Sequence, residues 1–178
     1  SSESFQVYTG DVWVDTQMGP ASIEAEVVGV FGAGNLGDGV NDIRIAALGA
    51  MLRGDFELDK FVLGVEAGLA TGDEDPDDED IRTFSFDRDH NVSLMLFEEP
   101  MPVLESGSNT DERDYDAVLT GEGIRNALYL RPHVGYHVME GLLADFSVFA
   151  AQAAKLPEED SDNNGYGWEF DLSLTYQP

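Results

Sequence analysis

Seven carboxylates fall within the eight residues from Asp73 to Asp80, and a run of oxygen donors that dense holds calcium when the backbone gathers it. The candidate ligands are Asp73, Asp75, Asp77, Asp78 and Asp80. The EF-hand spacing, with its central Gly and distal Glu, is absent. The expectation is therefore a solvated acidic loop that binds Ca2+ weakly. His133 and His137 have the spacing of a helical zinc pair, but Pro132 and Gly135 oppose a helix there. On a strand the two rings would stand about 13 Å apart, too far for one metal. They are expected instead to line a water-facing wall with Arg125, Tyr129 and Arg131. Asp87-Arg-Asp-His90 could form a local ion-pair cluster pinning its loop.

Gly32-Ala-Gly-Asn-Leu-Gly37 follows an apolar strand and matches the dinucleotide-binding glycine pattern, with Glu57 placed to meet a ribose. That chemistry needs a helix beginning at the third glycine, so that its N–H groups meet the pyrophosphate. Asp38-Gly-Val-Asn-Asp42 follows instead, and its carboxylates would repel phosphate. A dinucleotide-binding enzyme is thus the least favoured reading. No Gly-x-Ser-x-Gly elbow occurs, no histidine has a triad context, and no catalytic residue is assigned. The chain is not expected to be an enzyme.

The balance of 36 acidic against 9 basic residues, a formal charge of -27, repels nucleic acid and anionic membrane surfaces. Few lysines and many aspartates suit a saline habitat. Without cysteine there is no disulfide framework and no thiolate chemistry. The 178 residues are read as one unit, and no apolar run approaches a transmembrane helix. Ser1 to Phe5 has no basic region leading into an apolar core, so the reading is of a mature or truncated chain.

What must position these residues is strand. Tyr166, Trp168, Phe170, Leu172, Leu174 and Tyr176 alternate with Gly167, Glu169, Asp171, Ser173 and Thr175, a pattern only a strand makes two-faced. Aromatics at both ends with leucine between them is what a transmembrane strand shows to lipid, although a soluble β-sandwich strand alternates too. Similar segments are expected over 5–15, whose register is ambiguous, and over 23–33, 43–53, 60–71, 124–138 and 142–154. Short links at 15–21, 54–59 and 139–141 alternate with long acidic ones at 34–42, 72–123 and 155–164, as in barrels with tight turns at one rim and long loops at the other. The run 91–97 is placed inside the long loop 72–123, which is either external or folded into the pore. The predicted fold is all-β: an antiparallel up-and-down transmembrane β-barrel showing about seven or eight strands as part of a larger barrel.

Ala70-Thr-Gly-Asp73, Phe86-Asp-Arg-Asp-His-Asn-Val92, Asn126-Ala-Leu-Tyr-Leu-Arg-Pro132 and Tyr166-Gly-Trp-Glu169 resemble stretches of the large alginate-export-like, porin-type outer-membrane barrels of Gram-negative bacteria. The resemblance covers roughly residues 60–178. It implies a passive pore or exporter in the bacterial outer membrane, with many more strands than this chain holds and no catalytic residues. Its partners would be outer-membrane lipid and lipopolysaccharide, and the remainder of the barrel or a partner chain. Strand phasing puts Glu24, Glu26, Glu66, Asp145, Glu169 and Asp171 on the lumen wall, with Lys60, Arg125 and Arg131 as counter-charges, and such a wall favours cations. The alternative is a soluble, secreted acidic β-domain binding calcium or carbohydrate through its long loops.

Overall fold

The computed structural model describes residues 4–35, 43–75, 78–87, 89–90, 92–97, 123–156 and 164–177. Across them, period-2 patterning becomes an antiparallel meander. β1 (Ser4–Met18) pairs with β2 (Ala21–Asn35), and β2 with β3 (Ile43–Leu58). β3 pairs with β4 (Phe61–Ala70), and β4 with β6 (Ala127–Met139). β6 then pairs with β7 (Leu142–Ala153), and β7 with β8 (Gly165–Tyr176). The short β5 (Asp80–Ile81) comes from the long connection and runs parallel to β3 through Arg44 and Ile45. The fold is all-β, an up-and-down sheet of eight strands counting β5, with no helix among the described residues. β1 and β8 do not pair with each other, so the sheet is open.

The strands run further than the sequence pattern suggests. Gly19, at φ 63°, and Pro20 alone turn β1 into β2, so Thr16 to Met18 stay in strand instead of joining a link over 15–21. Asp59, at φ 55°, and Lys60 make the next tight turn, and Gly54 to Leu58 continue β3. Asp tolerates the left-handed region because its short polar side chain bonds locally, so a turn needs no glycine there. Glu140 and Gly141 make the third tight turn. All three lie at one rim, since a meander places successive links at alternate ends. The β2–β3, β4–β6 and β7–β8 connections lie at the other.

The long connection is not simply external. Thr71 is its hinge: the hydroxyl donates to Arg82 O at 2.7 Å and accepts from Leu48 N at 2.9 Å, while Phe84 N donates to Thr71 O at 2.9 Å. The chain then folds back across one face of the sheet, here termed inner. Phe84 packs on Ala47 and Ala70, and Val92, Leu96 and Phe97 join Tyr129, Phe149, Ala151 and Tyr166. Residues 92–97 are neither strand nor helix. The loop's own side chains thus supply the second layer that a lone sheet face lacks.

Tyr166 is a correction. Its position in the alternation places it outward with Trp168, yet it is buried on the inner side. The register slips by one between Ala151 and Gln152, and Gly167 sits at φ 134°. This bulge inverts the face of the residue before it.

Candidate functional site

The registers assign every strand position to a face, and charge divides accordingly. Outward positions include Tyr8, Val12, Val27, Leu52, Leu63, Val134, Phe146, Trp168, Phe170 and Leu172, all exposed. No outward position of β1–β4 and β6–β8 is acidic, and Arg44, near the long-loop rim, is the one charged residue among them. The inner face is the opposite. It carries Asp11 and Asp15 on β1, Glu24 and Glu26 on β2, Arg53, Asp55 and Glu57 on β3, and Glu66 on β4. Arg131, His133 and His137 follow on β6, Asp145 on β7, and Glu169 and Asp171 on β8.

These groups form two networks. In the first, Arg53 donates from Nε and Nη2 to Glu66 Oε2 at 3.0 and 2.7 Å, and from Nη1 to Glu24 Oε2 at 3.4 Å. Trp13 Nε1 donates to Glu24 Oε1 at 3.3 Å, which extends the chain of contacts to β1. Glu66 is only 2 % exposed, and its other oxygen accepts from the Tyr129 hydroxyl at 3.0 Å. That hydroxyl has one proton to give, so it accepts from His90 Nε2–H at 2.8 Å. His90 also stacks on Phe86, with ring centroids 4.7 Å apart. Burial holds the His90 ring below its ordinary pKa, with Glu66 pulling the other way.

The second network is a bridge. His133 Nδ1 stands 2.9 Å from Asp145 Oδ2, and Nε2 stands 2.8 Å from Asp55 Oδ1. The ring thereby ties β6 to the carboxylates of β3 and β7 at once. His137 is exposed nearer the tight-turn rim, where its backbone N–H donates to Lys60 O at 2.8 Å.

Of the other expected wall residues, Lys60 lies in the β3–β4 turn and Arg125 is buried ahead of β6, bridged to Ser85. In the acidic run, Asp73, Asp78 and Asp80 gather around the Arg82 guanidinium, and Asp80 also meets Arg44 Nε at 2.7 Å. Asp73 is buried, which pushes its carboxyl above the ordinary range although Asp75 N–H and Arg82 N–H both donate to it. Lys155 holds Glu74 below the usual range through a 2.8 Å contact. Asp75 is exposed, and Asp77 lies outside the described residues. Among the described residues, no group of three or more His, Asp or Glu is placed to hold a metal ion. Of Asp87-Arg-Asp-His90, Arg88 is outside the described residues; Asp87 caps the Asp89 and His90 backbone N–H groups, and the His90 ring turns inward. Gly32 and Gly34 of the glycine pattern sit inside β2, paired on both sides, and Gly37 is outside the described residues.

Sequence reasoning missed Asp55, because 54–59 read as a turn, and Asp11, Trp13 and Asp15, because β1 is apolar on both faces. The signal for the latter was the turn at Gly19 and Pro20, which fixes the β1 register against the clearly alternating β2. No family model matches this chain, and no curated protein shows significant similarity to it.

Proposed function

We propose that this chain forms wall of an outer-membrane β-barrel through which solutes or a polymer pass passively, with the acidic inner face favouring cations. The observation that carries this reading is the division of charge: an exposed outer face without a carboxylate across seven long strands, and an inner face bearing ten. An exposed apolar surface of that breadth has no place in water, whereas it suits hydrocarbon. Its tyrosines and tryptophan also sort toward the strand ends, with Tyr8 and Trp168 toward the long loops and Tyr136 and Tyr176 toward the tight turns, as lipid interfaces favour, while Phe146 and Phe170 sit mid-strand.

Closing the barrel requires partners for β1 and β8, whose outer edges are unpaired among the described residues. With seven long strands in a meander these two run parallel, so antiparallel closure takes an odd number of further strands, from the remainder of a larger barrel or from a partner chain. The acids nearest β1, namely Asp11, Asp15, Glu24 and Glu26, would concentrate cations, with Arg53 and Arg131 as counter-charges.

The test combines fractionation with electrophysiology. Carbonate-washed outer membranes should retain the protein as a heat-shifting band, and reversal potentials across a KCl gradient should show cation preference. Anion preference would overturn the selectivity. Recovery in the soluble fraction would favour the secreted acidic domain.

A further inference from the structure

Glu169 does something that the wall reading does not use. Its Oε1 accepts from the backbone N–H groups of Leu94 and Met95, and its Oε2 from that of Leu96, each at 2.8 Å. Three consecutive amides from the long connection thus converge on one carboxylate of β8, more than seventy residues away in sequence. Around this point the segment is tied again: Ser93 Oγ bonds Leu96 O, and Phe97 sets its ring edge-on to Phe149 and Tyr166, with centroids 6.1 and 5.0 Å away. Leu96 packs down with Phe97, but the two side chains before it do not. Leu94 and Met95 are 68 % and 78 % exposed on the side of the sheet that is otherwise acidic.

We infer that residues 92–97 form a strap latched onto the inner face by Glu169, and that this carboxylate decides whether the strap is seated or released. When seated, the strap covers Phe149 and Ala151 of β7. When released, it uncovers them and moves the apolar tip of Leu94 and Met95 off the inner face. The physical basis is that one ionised group satisfies three amide donors at once. Each such bond is stronger than a neutral one, and a backbone left without them has only water to turn to. The contacts of Val92, Leu96 and Phe97 alone leave Leu94 and Met95 unheld. The inference concerns the strap on the sheet, and holds whether or not this face conducts.

The native chain has no cysteine, so a single introduced thiol reports cover directly. Ala151→Cys places it beneath the strap, and Ala47→Cys places a control under Phe84, away from Glu169. Labelling by a water-soluble thiol reagent should be slow at both positions in the otherwise native protein. Adding Glu169→Ala should speed labelling at position 151 by about tenfold or more, the equivalent of losing one charged hydrogen bond, with position 47 unchanged. Glu169→Gln, which keeps shape and an acceptor oxygen, should fall between. Equal rates at 151 with and without the Glu169 substitution overturn the latch. So does equal acceleration at both positions, which would make Glu169 a general support of the fold. Loss of cation preference with the labelling contrast intact would instead count only against the proposed pore.

Discussion

His133 reaches Asp55 across the full width of β4, Nε2 to Oδ1 at 2.8 Å, because the residue lying between them is Gly64. A Cβ at that position would lie 2.0 Å from His133 Nε2 and 2.1 Å from Asp55 Oδ1. Gly64→Ala should therefore destabilise by about 2 kcal/mol, as overpacking does. In a His133→Ala background the same change should cost less, because the clashing ring is gone and the Asp55 carboxylate, no longer held by it, can turn aside. Urea-unfolding midpoints of the four proteins check this, and simple additivity would show that the glycine serves something else.

The Arg53–Glu66 pair makes a second prediction. Removing Arg53 leaves a buried carboxylate with the Tyr129 hydroxyl as its main remaining donor. Arg53→Met should cost about 2 kcal/mol, below the roughly 3–5 kcal/mol of a fully buried pair because Arg53 itself is partly exposed. Adding Glu66→Gln should recover part of the loss. A double variant no more stable than the sum of its single variants would argue against the pairing.

Acid should loosen the loop at His90. Burial depresses the folded-state pKa of this ring, so the unfolded chain binds its proton more readily. The stabilisation is complete above the unfolded value of about 6.5 and is lost as pH falls from there toward the lowered folded value. Exchange of the Phe86 amide, which donates to Ile124 O, should accelerate relative to strand amides over that window. His90→Asn should flatten the dependence, and an unchanged profile in that variant would remove His90 as its source.

The outer face gives a paired test. Leu172→Arg puts a charge on the apolar side of β8, whereas Ser173→Arg puts it on the acidic side one residue away. If lipid covers the outer face, the first should cost about 2–4 kcal/mol in refolding into vesicles and the second little. Equal tolerance would point to water on both sides and to the secreted domain.

Read as sequence, the chain already specified strands, faces and the alternation of short and long links, because side-chain direction along a strand has a period of two and needs no knowledge of neighbours. By that rule alone Glu24, Glu26, Glu66, Asp145, Glu169 and Asp171 fall on one face, and the strand registers show that they do share one face of the sheet. The rule failed where backbone geometry interrupts the period. Tyr166 turned inward at the Gly167 bulge, and Asp55 was read as turn because a tight turn at Asp59 and Lys60 leaves no conspicuous glycine. Partnership lay beyond it altogether. That Glu169 would meet three amides of residues 94–96, and that His133 would find Asp55 past a glycine on the intervening strand, depends on strand order and on a loop folding back across the sheet. Those are long-range contacts, and only the tertiary structure decides them, since local pattern fixes which way a side chain points and not what it meets.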